Sequence, residues 1–264
     1  MFNVQCSMFN VQCSMFNVQC SMVKVLSIIT GLLVAAGCSA AQTTDVFTTK
    51  SGKEVKCTCI KHASIQIQYD GLEIQIDPVT DAVKPVTDYS RFPKANIILV
   101  THEHHDHFDR EAIALLRSAT TNIYTNPAVY NAFHNGTPIK NGDSIVYRSD
   151  IKIQAVPAYN TTEGRIQFHP KGRDNGYVLT LDGLRIYIAG DTEDIPEMQQ
   201  LNDIDIAFLP CNQPYTMTID QLVSAAKTIK PKVLFPYHYG ETRISQAVMR
   251  LAGSGIKVLI RDYQ

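Results

Sequence analysis

The stretch Thr101-His102-Glu103-His104-His105-Asp106-His107-Phe108-Asp109 restricts this chain more than any other. Before it, Ala95-Asn96-Ile97-Ile98-Leu99-Val100 reads as a short buried strand. After it, Asp109 has the chemistry of a helix N-cap, and residues 110–117 carry helical spacing. Imidazoles and a carboxylate are therefore expected on a strand-to-helix turn, where a rigid scaffold presents side chains to a cleft. If the chain stays extended, His102, His104 and Asp106 share one face, and Glu103 and His105 share the other. His107 then joins the first face only where the chain bends into the helix. Imidazole and carboxylate suit zinc, manganese or iron, and two such ions roughly 3.5–4 Å apart can share a hydroxide. A solvated His-rich loop is the bland alternative, and the buried strand leading into the motif argues against it.

The pattern His-x-His-x-Asp-His resembles the signature of the metallo-β-lactamase superfamily. Four further phrases fit in the right order: Ile74-Gln75-Ile76-Asp77-Pro78, Phe168-His169-Pro170-Lys171-Gly172, Ile188-Ala189-Gly190-Asp191-Thr192 and Leu234-Phe235-Pro236-Tyr237-His238. The resemblance spans roughly residues 55 to 264. It implies a four-layer αββα sandwich, two sheets face to face with helices outside. The residues by themselves indicate only a mixed α/β (α+β) chain. It also implies a ligand set: His102, His104 and His169 on one divalent metal, Asp106, His107 and His238 on a second, and Asp191 between them. Two ions are expected, zinc first, with manganese or iron as alternatives. They would carry a bridging hydroxide onto an ester, lactone or phosphoester, with Asp106 orienting it and accepting its proton.

Asp191 stands where the best-known zinc β-lactamases carry Cys, so the site is closer to glyoxalase II or the ascorbate-phosphate lactonase. His104 stands where flavodiiron oxidoreductases carry Glu. Phrases such as Val156-Pro157-Ala158-Tyr159-Asn160 and Tyr215-Thr216-Met217 are similar to a branch described only as metal-dependent hydrolases. In the wider superfamily the third His directly follows its strand; Asn160 takes that place here, and His169 lies nine residues on. Asp77 is expected to support a ligand from behind. His62, Tyr215 and Lys171 are candidates for the active-site wall or for substrate contact. Two other readings remain open: a mononuclear iron oxygenase of the persulfide dioxygenase kind, and a non-catalytic metal-binding lipoprotein.

Residues 1–21 are Met-Phe-Asn-Val-Gln-Cys-Ser three times over, too short and too polar for a coiled coil. We read them as a duplicated leader without fold. Residues 22–41 have one Lys, a short apolar core and small residues at the end, the layout of a secretory signal peptide. Ala36-Gly37-Cys38 resembles a bacterial lipobox, so Cys38 becomes a candidate lipidated residue, with cleavage after Ala41 the competing outcome. Export to the periplasm follows, with the membrane touched only through that anchor. One domain is expected over 42–264. A formal charge of −1 gives no reason to expect nucleic acid, leaving a small-molecule substrate. Cys57 and Cys59 are two apart in a strand, a poor geometry for a mutual disulfide.

Strands are expected near 54–60, 63–69, 72–77, 95–101, 143–149, 151–157, 176–181, 184–189, 204–209, 233–237 and 257–263. Asp70-Gly71 and Asp182-Gly183 are the expected hairpin turns. Helices are expected near 109–119, 126–134, 194–202, 218–229 and 242–252.

Overall fold

The computed structural model of the chain describes residues 42–262. The repeated leader, the signal peptide and Cys38 lie outside the described residues.

The first sheet comprises β1 (Thr44–Thr48), β2 (Glu54–Lys61), β3 (Ser64–Tyr69), β4 (Leu72–Ile76), β5 (Ile97–Val100), β6 (Asn122–Thr125) and β7 (Thr137–Pro138), side by side in chain order. β1 to β4 are antiparallel, and β4 to β7 are parallel. The second comprises β8 (Ser144–Arg148), β9 (Ile151–Ala158), β10 (Asp174–Leu181), β11 (Leu184–Ile188), β12 (Ile206–Pro210), β13 (Val233–Tyr237) and β14 (Lys257–Val258), again in order. Here too the first four strands are antiparallel and the rest parallel. Both expected hairpin turns form. Asp70 and Gly71 have φ of +50° and +78°, and Asp182 and Gly183 have +46° and +80°. Two successive residues at positive φ give the turn whose twist matches its strands.

Parallel neighbours need a crossover, and four of the six here carry an α-helix. The helices are α1 (Arg110–Leu116), α2 (Pro127–Phe133), α3 (Ile219–Ile229) and α4 (Ser245–Arg250). Strand parity then sorts the core into layers. Ile97 and Leu99 face the second sheet, packing in one cluster with Ile153, Leu179, Phe208 and Phe235. Ile98 and Val100 face outward onto Ala112, Ile113 and Leu116 of α1. On the far side, Ala207 and Leu209 meet Leu222, Val223 and Ala226 of α3. The result is the expected four-layer αββα sandwich. Cys57, Cys59 and Cys211 are free and buried.

Three strands escape the sequence pattern. β1 is a polar edge strand, and β6 and β7 are short and rich in Asn, Thr and Pro. The helix expected over 194–202 is a 3-10 turn, Pro196–Gln200. Its apolar residues Ile195, Met198 and Leu201 recur every third position and are all buried, a period that fits three residues per turn. The last expected strand shrinks to Lys257–Val258.

Candidate metal centre

Every candidate ligand follows a strand at one edge of the sandwich. β2, β4 and β5 lead to His62, Asp77 and the 101–109 turn; β11 and β13 lead to Asp191 and His238; His169 lies in the connection from β9 to β10. Parallel-sheet sites form at carboxyl ends of strands for this topological reason. The two sheets are tied there: Tyr177 Oη donates to Val100 O at 2.7 Å, Asn175 N to Thr101 O at 3.1 Å, and His238 N to His62 O at 3.0 Å.

The motif does not stay extended as alternation required. β5 stops at Val100, and the N–H groups of His107 and Phe108 both donate to His104 O, at 2.9 and 2.8 Å. Asp106 and His107 thus reach the centre through a turn. Glu103 does point the other way, toward Arg173 at 3.2 Å, and the His105 side chain is 85% exposed. Asp109 caps α1 by accepting from Glu111 N and also accepts Thr80 N, anchoring the turn from its far end.

The seven proposed ligands come together. His102, His104 and His169 form one group with ligand atoms within 4.8 Å of one another; Asp106, His107 and His238 form another, joined by His62. Asp191 lies between them. Its Oδ1 is 3.3 Å from His107 Nε2, and its Oδ2 is 3.4 Å from His169 Nε2 and 3.3 Å from His238 Nε2.

The chemistry of these donors fits a cation. His107 Nδ1 lies 2.8 Å from Asp77 Oδ2, and His169 Nδ1 lies 2.9 Å from Asp174 Oδ2. A carboxylate only accepts, so each Nδ1 carries the proton and each Nε2 presents a lone pair. Those lone pairs face the Asp191 carboxylate. His107 Nε2, His169 Nε2, His238 Nε2 and Asp191 Oδ1 are all buried without a hydrogen bond. These atoms lie 3.3–3.4 Å apart, yet no hydrogen bond joins them. Buried acceptors converging in this way need positive charge.

Titration follows the same layout. Burial raises the Asp191 carboxyl, but His238 and His107 outweigh it and hold it well below the usual range. Asp106 behaves alike: burial opposes, and the nearby His238 together with the hydrogen bond from His62 prevail. Burial and the neighbouring His107 push His102 well down. For His107 burial acts downward, and Asp191 and Asp77 overcome it, raising the ring well above the usual imidazole range. His62 drops to about 4 through burial and the neighbouring His238, whose tilted ring has its centroid 3.7 Å away.

The remaining sequence candidates divide. Asp77 is fully buried, accepts Thr101 N and Oγ1 at 2.8 and 2.7 Å, and fixes the His107 ring. His62 Nε2 sits 3.0 Å from Asp106 Oδ2, at the wall of the site. Tyr215 is 45% exposed and meets Phe168 edge to face, beside His169. Lys171 is exposed, and its ammonium donates to Glu197 at 2.8 Å and Tyr159 Oη at 3.1 Å.

Several contributors were not legible in the sequence. Asp174 orients His169 and is itself gripped by Arg173 through two hydrogen bonds of 2.6 and 2.9 Å. Glu193 accepts four hydrogen bonds from Thr161 and Thr162 at 2.7–2.9 Å, pinning the loop that carries His169. Lys61 is fully buried and donates to Thr80, Val83 and Pro85 carbonyls, tying down the loop beside His62. The one available signal was the excess of charge in Lys171-Gly172-Arg173-Asp174, which resembles ordinary surface.

This edge of histidines and aspartates on an αββα sandwich defines a class, and comparison with known proteins agrees. A family pattern described as the beta-lactamase superfamily domain matches residues 56–238. A protein of Ligilactobacillus salivarius named UPF0173 metal-dependent hydrolase is 34% identical over 194 residues, 70% of this chain and 85% of its own length. Among solved structures, a protein of Parabacteroides distasonis assigned as a metal-dependent hydrolase is 54% identical, with a TM-score of 0.82 over 84% of this chain and 100% of that one. A metallo hydrolase of Ignicoccus hospitalis is 25% identical, with a TM-score of 0.67 over 79% of this chain and 95% of that one. The chain belongs to the metallo-β-lactamase superfamily and is a metal-dependent hydrolase of that fold.

Proposed function

We propose that this hydrolase works with two divalent cations and cleaves an ester, lactone or phosphoester bond outside the cytoplasm. The observation that carries the reading is the convergence of three unpartnered imidazole Nε2 atoms and Asp191 Oδ1 on one buried space. His102, His104 and His169 would hold one cation, and Asp106, His107 and His238 the other, with Asp191 serving both. Bound there, the cations would supply Lewis acidity and lower the pKa of a water to about 7.

The chain's own residues do the rest. Asp106 Oδ2 is 3.0 Å from His62 Nε2, which hydrogen-bonds it, and 3.5 Å from His238 Nε2. Its Oδ1, on the side away from His62 and His238, would take a proton from the attacking water, while Oδ2 would face the cation. Neutral His62 donates its Nε2–H to Oδ2 and holds the carboxylate in that orientation. Asp77 and Asp174 lock the rings of His107 and His169 with their lone pairs inward.

No helix of the described residues is long and apolar enough to cross a membrane. The proposal of export rests on the signal-peptide pattern of residues 22–41, and that of a lipid anchor on Cys38. Cell fractionation, with labelled fatty acid fed to cells carrying the native chain or Cys38→Ala, separates lipidation from simple cleavage.

Metal counting on the purified protein, followed by a panel of ester, lactone, phosphodiester and β-lactam substrates, tests the main reading. Two equivalents of zinc or manganese with turnover of one class support it. One equivalent of iron with oxygen uptake overturns it, and bound metal with no turnover points to a binding protein.

A further inference from the structure

Two residues of the 101–109 turn sit between ligands without being ligands themselves, and they differ. His105 is open to solvent, whereas the Glu103 side chain is only 28% exposed and its Oε2 is buried without a hydrogen bond. Among the described residues its one ion-pair partner is Arg173, whose Nε lies 3.2 Å from Glu103 Oε1. Arg173 belongs to the other half of the sandwich, directly before β10. Its guanidinium also holds Asp174, through Nε at 2.6 Å and Nη2 at 2.9 Å. Asp174 in turn accepts from His169 Nδ1 at 2.9 Å. Four side chains therefore form one line, Glu103–Arg173–Asp174–His169, from the ligand turn of the first sheet to a ligand supplied by the second. Charge alternates along the line and ends on the ring.

We propose that Glu103 is a positioning residue of the first cation site, acting through Arg173 and Asp174 on His169; the proposal rests on the two-cation reading above. A guanidinium that grips Asp174 fixes the carboxylate, but it also draws negative charge away from His169. It further sets a positive charge one side chain away from a ring that would hold a cation. Glu103 offsets both effects. With it, the three charged groups behind His169 are net negative; without it, they carry no net charge. An Asp174 that keeps its charge pulls harder on the Nδ1 proton and makes Nε2 the stronger donor. Both Glu103 and Arg173 are about three-quarters buried, so solvent screens this pair less than a surface pair. The Arg173 backbone is held separately, by Asn126 Nδ2 on its carbonyl at 3.0 Å, so Glu103 acts on the guanidinium and not on the course of the chain. Burying Oε2 unmet costs free energy, and the contact with Arg173 is what offsets it.

A double-mutant cycle on the full chain tests this, with zinc affinity measured by competition against a chromophoric chelator. Glu103→Gln should weaken one of two zinc equivalents about tenfold and leave the other unchanged, with the circular dichroism spectrum unaltered. Glu103→Asp keeps the charge with a shorter reach and should fall between the two. In an Arg173→Met background the same Glu103→Gln change should move affinity less than about twofold, because the group it acts on is gone. A second readout needs no metal. In the metal-free chain the His169 Nδ1–H proton resonance should shift upfield in Glu103→Gln, as its hydrogen bond to Asp174 weakens. An unchanged zinc affinity together with a stationary His169 resonance overturns the proposal, and so does a loss that is undiminished in the Arg173→Met background. A native chain that binds no zinc would instead defeat the two-cation reading, and the His169 resonance would still decide whether Glu103 acts on that ring.

Discussion

The two halves of the sandwich repeat one plan and divide the chemistry unequally. β1–β7 and β8–β14 each run four antiparallel strands into three parallel ones, so strand ends correspond. The turn after β2 carries His62, and the connection after β9 carries His169. β4 leads to Asp77, and β11 leads to Asp191. In the first half the remaining ligands are packed into one turn after β5; in the second, one residue follows each of several strands. The two aspartates show why matching positions need not share a task. Asp77 directly follows β4 and points back into the protein, fully buried, against His107 and Thr101. Asp191 comes two residues later relative to its strand, past Gly190 at φ +65°, and that extra length swings its carboxylate between the two histidine groups.

The sharpest test of that contrast is the isosteric pair Asp191→Asn and Asp77→Asn. At 191 the change removes a charge both cation sites would share, so turnover should fall to background and bound metal well below one equivalent. At 77 the amide places an N–H against His107 Nδ1, driving the ring to the wrong tautomer. Loss should then be confined to the His107 site, where affinity falls about 10–100-fold, leaving about one equivalent of metal at the other site. Elemental analysis after dialysis checks both, and equal losses would break the contrast.

Asp174→Asn is the mirror experiment in the second half. It should empty the His102–His104–His169 group through the same tautomer argument, lowering metal affinity about 10–100-fold there. Arg173→Met should do less, because Asp174 keeps its bond to His169 when one grip is lost. An Asp77→Asn, Asp174→Asn double variant that still retains two equivalents would remove any role for either carboxylate in holding the rings.

These residues also mark where the sequence stopped being readable. The 101–109 turn was legible because its ligands are consecutive and follow an apolar run whose burial needs no partner to recognise. The αββα layering was legible because Ile97 to Val100 and its counterparts alternate between two apolar neighbours. Asp174, Arg173, Glu193 and Lys61 were not, because each acts on a residue distant in the chain or on backbone, and charge in a loop looks the same whether solvated or buried. Alternation also gave the right company for Asp106 by the wrong route, since the turn at His104 cannot be seen in residue types. The pairing of Lys171 with Glu197 was equally hidden, because it depends on where the 3-10 turn falls.

Gly190 is the next step down. A Cβ there would lie 2.8 Å from Asn175 O and 3.3 Å from the Thr101 Cβ, at a φ that L residues avoid. Gly190→Ala should therefore cost about 3 kcal/mol, combining overpacking against backbone with left-handed strain. Chemical denaturation of the metal-free protein reads the cost directly, and metal loss should accompany it because Asp191 moves with its neighbour. A loss under about 1 kcal/mol would mean that the extra residues before Asp191 are not held by this close contact.

The smallest effect compares the two hairpin turns that occupy matching places. Gly71 has open space around a would-be Cβ, whereas Gly183 would bring one to 2.6 Å from Lys50 Cδ. Backbone strain is the same at both, φ being +78° and +80°, and an alanine should cost about 1 kcal/mol at each. The extra crowding at 183 falls on the far part of a long exposed side chain, which rotates away at little cost. The two variants should thus agree within about 0.5 kcal/mol in denaturant midpoint analysis. A much larger loss at Gly183 would show that Lys50 is held, and would place real stabilisation in the contact between the loop after β1 and the β10–β11 turn, where Lys50 N already donates to Asp182 O at 3.3 Å.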